Sequence, residues 1–130
     1  MMAFYAASGL RFSEVVNLDH DSYDKLSGRA KTIGKGNKER EVYVGERAQA
    51  AVKKFLRIRR ALPAVTTLFT TDGGMPITYW GGQSIFRRMR GKVNISNLHA
   101  HRFRHTWTQN ALEKGAERAM VQDQMGWTSD

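Results

Sequence analysis

Apolar residues come in short blocks along this chain, and glycine, proline or a polar cluster closes each block. Met1 to Ala7 is a run of helix formers, broken by Ser8-Gly9. Arg11 opens a short second helix through Asn17, with Leu10, Val15 and Leu18 as its apolar side. HDSYDKLSG is rich in turn formers. Arg29 to Ile33 and Glu41 to Val44 read as two extended runs around GKGNKER. Gly34, Gly36 and Asn37 tolerate positive φ, so the pattern predicts a β-hairpin, ended by Gly45. From Glu46 to Leu62 the apolar positions Ala48, Ala51, Val52, Phe55, Leu56, Ile58 and Leu62 follow a period near 3.6. That predicts a helix stopped by Pro63. Thr67 to Thr70 is a short apolar stretch followed by the turn DGGMP. Thr78 caps a helix to about Arg90, with Ile85, Phe86 and Met89 inward, although Gly81 and Gly82 weaken its first turn. Ala100 to Lys114 and Glu117 to Met125 read as two more helices, ended by Gly115 and Gly126. The sum is a mostly helical α+β domain with one small antiparallel sheet that carries the Lys35 hairpin.

Composition narrows the partners. The 130 residues hold 21 Lys and Arg against 12 Asp and Glu, a net charge of +9 with neutral histidines. Such an excess favours a polyanionic partner, most simply nucleic acid, and a solvated charged surface is the alternative that charge alone leaves open. With no cysteine there is neither a disulfide framework nor a thiolate metal site. No apolar run approaches the ~20 residues of a membrane span. MMAFYAASGL lacks a basic leader and a polar cleavage region, so it reads as the end of a buried helix rather than a signal peptide. The chain is one domain, residues 1–130, and looks cut at both ends.

Candidate chemistry lies in four segments. In HAHRFRHT, His101 and Arg104 are three apart and share a helix face, with His105 close to it. The His101/His105 spacing suits a metal, but no glutamate follows His101 and an arginine sits within the pair, so no metal site is expected. Taken alone, the segment reads as His105 hydrogen-bonded in the core and Arg104 solvated. GKGNKER alone is either a solvated turn or a phosphate cradle. It lacks the G-K-[ST] ending and following helix of a nucleotide loop. Arg87, Arg88, Arg90 and Lys92, and separately Arg57, Arg59 and Arg60, either track a DNA backbone or form solvated helix faces. Tyr79 and Trp80 read as core or groove wall, and Tyr5, Tyr23 and Tyr43 as buried or strand positions.

ASGLRFSE, GKGNKER, HRFRHT and MGWTS, taken in this order, resemble the tyrosine recombinases, the phage integrase and Xer-type family, from Ala7 to Ser129. The resemblance implies the recombinase catalytic-domain fold and assigns roles. Arg11 and Arg104 match the two phosphate-binding arginines, and Glu14 the acid that supports the first. Lys35 matches the hairpin lysine that protonates the leaving 5′-oxygen. His101 matches the histidine suited to take the nucleophile's proton, and Trp127 a position held by His or Trp. Phe103 replaces the usual leucine. Lys38, Arg40, Arg87, Arg88 and Arg90 are expected to contact DNA, and His105 to support the site. The implied activity is site-specific DNA recombination or integration through a 3′-phosphotyrosine, with double-stranded DNA as substrate and no cofactor. The intact family works as a tetramer on DNA, here in a prokaryotic cytoplasm at the nucleoid.

The chemistry needs these residue types. A phosphodiester under attack gathers negative charge on its non-bridging oxygens, and guanidinium groups bind them bidentately while staying charged. The Trp127 N–H donates but cannot shuttle protons. The implied tyrosine nucleophile falls beyond Asp130, so residues 1–130 alone are expected not to cut DNA. Two other readings use the same residues. One is a DNA-binding remnant or regulatory fragment without catalysis. The other is a metal-free nuclease in which Lys35 and His101 act with water.

Overall fold

The computed structural model describes residues 1–93 and 100–126, apart from the side chains of Lys35, Val93, Ala100 and His101. The helices are α1 (Met2–Ser8), α2 (Phe12–Val16), α3 (Glu46–Ile58), α4 (Tyr79–Val93), α5 (Ala100–Glu113) and α6 (Arg118–Met125). The strands are β1 (Tyr23–Asp24), β2 (Arg29–Ile33) and β3 (Glu39–Tyr43), with 3₁₀ turns at His20–Ser22 and Lys35–Asn37.

The sheet is antiparallel in the order β1-β2-β3. Arg29 faces Tyr43 and Ile33 faces Glu39, so Lys35 lies in the connection that closes the hairpin. Alternation along β2 puts Ala30 and Thr32 on the buried face, and Val42 joins them from β3. Gly36 and Asn37 take positive φ (76° and 58°), as their side chains allow.

Helix α1 is the centre of the domain and packs on both α3 and α5. Phe4 meets Tyr23 and Phe69 edge-on, with ring centroids 5.6 and 5.3 Å apart. Tyr5 meets Phe12 and Phe86 in the same way at 5.4 and 5.9 Å. These offset edge-to-face contacts suit the aromatic quadrupole and bury large apolar areas. Phe12 and Phe86, 5.2 Å apart, fasten α4 to α2. Gly82 belongs to that contact, since a Cβ there would lie 2.5 Å from Phe12 Cε1. The glycine that weakens the helix is therefore needed for its packing.

Four expectations change. The turn-rich segment after His20 contributes the short edge strand β1, and β3 starts two residues earlier than its apolar pattern suggests. The third helix ends at Ile58 rather than running to Pro63. Arg59 turns extended (ψ 129°), and its guanidinium donates to the carbonyls of Leu68 at 2.9 Å and Thr67 at 2.6 Å. Thr70 Oγ1 donates to the Arg60 carbonyl at 2.7 Å, so tertiary bonds draw this segment off the helix axis. Tyr79 and Trp80 are 44% and 78% exposed, so Trp80 is not a core residue.

Candidate active site

The turn between α1 and α2 builds the site. Gly9 ends α1 in the left-handed region (φ 70°), and Arg11 then becomes the residue that caps α2. A side chain at Gly9 would also meet the Trp107 ring, with Cβ 2.9 Å from Cε3. Trp107 fixes α5 against this turn by donating its Nε1–H to the Ala7 carbonyl at 3.1 Å. The Arg11 backbone N–H donates to Glu14 Oε2 at 2.9 Å, which satisfies an orphan donor at the start of α2. The Arg11 guanidinium stays 35% exposed and approaches Glu14 Oε1 at 3.4 Å.

Arg104 reaches the same turn from α5. Its Nε donates to the Gly9 carbonyl at 3.0 Å and its Nη2 to the Met125 carbonyl. The side chain is buried, the opposite of the solvated arginine that its own segment suggests. Burial lowers its pKa first, then the positive charge of Arg11, while Glu14 opposes and Arg40 adds to the lowering. An arginine nonetheless remains a cation at any working pH. Next to it the Tyr5 phenol is pushed up to about 12 by burial, partly offset by Arg104.

Arg40, expected from the sequence to contact DNA, has a side chain that is only 11% exposed. Its Nη1 and Nη2 donate to Glu14 Oε1 and Oε2 at 2.9 and 2.8 Å, and its Nε to the Gln124 carbonyl at 3.3 Å. Three guanidiniums, those of Arg11, Arg40 and Arg104, therefore crowd one carboxylate. Glu14 is buried, and the Arg40 guanidinium holds it more closely than the Arg11 guanidinium does.

The remaining expected residues divide. Lys38, Arg87 and Arg88 are exposed, and Arg90 is half-buried on α4. His105 is exposed rather than a hydrogen-bonded core residue. The backbones of Lys35 and His101 lie in the hairpin turn and the first turn of α5, but their side chains fall outside the described atoms, as does all of Trp127. Among the described residues no three His, Cys, Asp or Glu side chains gather as a metal site. No described helix is long and apolar enough to cross a membrane.

Two residues of the site went unnoticed in the sequence. Gln124 donates Nε2–H to the Ser8 carbonyl at 2.8 Å and to the Tyr43 carbonyl at 3.2 Å, and its Oε1 accepts from the Tyr43 N–H at 3.3 Å. Nothing in its local pattern separates it from a solvated glutamine. Trp107 had one usable signal, its place three residues after Arg104 on the same helix.

All 130 residues match the phage integrase family. The tyrosine recombinase XerC of Azotobacter vinelandii is 34% identical over 97% of this chain and 42% of its own length. XerC of Leptospira interrogans is also 34% identical, over 99% of this chain and 42% of its own. The chain thus spans about two fifths of the curated relatives it matches. Among solved structures, the XerA recombinase superposes with a TM-score of 0.87 at 23% identity, over 98% of this chain and 47% of that one. The integrase of transposon Tn1549, solved with a circular intermediate DNA, gives 0.84 at 19%, over 98% and 50%. At those identities the likeness is one of fold. The matched residues and the XerC identities together make this chain a member of the phage integrase family, with Xer-type tyrosine recombinases among its relatives.

Proposed function

We propose that these residues form most of the phosphodiester-transfer site of a DNA recombinase. The observation that carries this reading is the crowding of Arg11, Arg40 and Arg104 around the single carboxylate of Glu14. Two of three positive charges go uncompensated among these four groups, and the site gains most by taking an anion. Preorganised charge of this kind stabilises a developing phosphorane, and losing one donor costs about 10²–10³ in rate. Arg11, half-exposed, and Arg104 bind the scissile phosphate. Lys35 protonates the leaving 5′-oxygen, His101 takes the proton of the attacking hydroxyl, and Trp127 donates an indole N–H. Lys38, Arg87, Arg88 and Arg90 track neighbouring phosphates, and His105 supports the site from the edge of α5.

In the protein as it acts, a tyrosine attacks the phosphodiester, joins the 3′-phosphate and releases the 5′-hydroxyl. The reverse attack by another 5′-hydroxyl rejoins the strand, so the bond energy is kept and no cofactor enters. The names of the relatives, tyrosine recombinases and integrases solved on DNA, support double-stranded DNA as substrate. The working form is several protomers on DNA at the bacterial nucleoid.

None of the four tyrosines in this sequence suits the nucleophile's part. Tyr5 and Tyr23 are buried in the core, Tyr43 lies on β3, and Tyr79 packs its ring on Phe12 at 5.7 Å. The polypeptide 1–130 is therefore expected to bind duplex DNA without forming a covalent adduct. Fluorescence anisotropy and a denaturing gel with a nicked suicide duplex test both halves. Binding of about 10⁻⁴–10⁻⁶ M that weakens with salt is expected. Binding indifferent to salt would sink the reading, and an adduct would move the nucleophile to Tyr79.

A further inference from the structure

Arg40 adds its charge to the proposed phosphate site, yet its guanidinium is bonded to Glu14 and the Gln124 carbonyl. We propose that it is a positioning residue: its guanidinium locks the Lys35 hairpin, the Arg11 turn and the end of α6 into one register. The inference rests on the reading of Arg11 as a phosphate ligand.

The side chain starts on β3 and ends between two other elements. Its fork meets both oxygens of Glu14 on α2, and its third N–H, on Nε, meets the carbonyl of Gln124 on α6. Gln124 then ties the same helix back to Ser8 at the end of α1 and to Tyr43 on β3. Glycines line the guanidinium on two sides. A Cβ at Gly34 would lie 2.7 Å from Arg40 Nη1, and one at Gly126 2.6 Å from Arg40 Cζ. Gly34 sits at φ −96°, which any residue adopts, so its backbone does not call for glycine. What excludes a side chain there is the arginine. The slot is shaped for a planar fork.

The consequence follows from charge. Glu14 is nearly buried, and a buried carboxylate must keep a cation. With Arg40 absent, Arg11, already 3.4 Å away, turns inward to pair with Glu14. The phosphate then loses its half-exposed ligand. The hairpin that carries Lys35 also loses its link to α6. Lysine in place of Arg40 restores a point charge but supplies no planar fork to span Glu14 and Gln124 together.

The test uses the 130-residue protein, duplex DNA at low salt and amide hydrogen exchange. Arg40→Lys is the first variant. Gly34→Ala is the second, since it crowds the guanidinium while leaving every charge in place, and it decides the matter if Arg40→Lys fails to fold. Circular dichroism establishes which variants are folded. In a folded variant, duplex affinity is expected to fall roughly tenfold, about 1.4 kcal/mol of binding free energy. The Arg11 and Tyr43 amides, bonded to Glu14 and Gln124, are expected to exchange faster at the same time. Where Arg11→Ala lowers affinity, unchanged affinity in a folded Arg40→Lys or Gly34→Ala variant overturns the proposal whatever the exchange does. Lost affinity with unchanged exchange also overturns it, and makes Arg40 a direct phosphate ligand. Arg11→Ala is the control. If that change leaves affinity intact, the phosphate reading itself has failed, and the exchange rates alone then judge the lock.

Discussion

Replacing Glu14 by glutamine removes the one negative charge in a cluster of three guanidiniums while keeping the side chain's shape. The carboxylate accepts two bonds from Arg40 at 2.9 and 2.8 Å and one from the Arg11 N–H at 2.9 Å. Both side chains of the Glu14–Arg40 pair are nearly buried, at 7% and 11% exposure. Breaking such a pair from one side costs about 3–5 kcal/mol. The amide oxygen still accepts one bond, and Arg11 is exposed enough for solvent to screen it, so the lower end, about 3 kcal/mol, is expected. The unfolding entropy of a 130-residue domain is about 0.27 kcal/mol/K, which turns that cost into a fall in Tm of about 11 °C. Thermal and urea unfolding followed by circular dichroism measure it. A bound anion should return part of the loss, so phosphate is expected to raise the Tm of Glu14→Gln more than that of the parent chain. A loss under about 1 kcal/mol, or an equal response to phosphate, would refute the electrostatic account.

Other consequences concern the core. Tyr5 stays protonated up to about 12, whereas an unfolded tyrosine ionises near 10. Stability is therefore complete below pH 10 and is lost as the pH rises toward 12, by roughly 2–3 kcal/mol. Tyr5→Phe should flatten that part of the stability–pH curve, and a curve of unchanged slope would count against the burial of the phenol. Gly82→Ala places a methyl group against the Phe12 ring and is expected to cost about 1–3 kcal/mol in urea unfolding, although alanine is the better helix former. Stabilisation by that change would mean that α4 does not sit on Phe12.

The helices were legible because local signals and tertiary packing agree. Gly9, Gly115 and Gly126 sit at helix ends in the left-handed region, where the breaks in the pattern place them. The hairpin was legible for the same reason, since Gly36 and Asn37 provide the positive φ that its turn needs. The end of α3 was not legible. Its apolar spacing continues to Leu62, but the bonds from Arg59 to the carbonyls of Thr67 and Leu68 reach past the helix into the next segment and leave no periodic trace. At the site, motif order singled out Arg11, Glu14 and Arg104. It could not say that Arg104 is buried and Arg40 engaged, because burial depends on which elements close over a residue. Arg40 and Lys38 look alike in GKGNKER, yet one lies in a slot between two glycines and the other is exposed.

The central claim is that Arg11 and Arg104, far apart in sequence, hold one DNA phosphate together. Side-chain Nε–H resonances of ¹⁵N-arginine-labelled protein, followed during titration with duplex DNA, test it most directly. The account predicts that the Arg11 and Arg104 signals move together with one shared dissociation constant, and that both lose their response in step as salt is raised. Shifts confined to Arg87 and Arg88 on α4, with Arg11 and Arg104 unmoved, would contradict it.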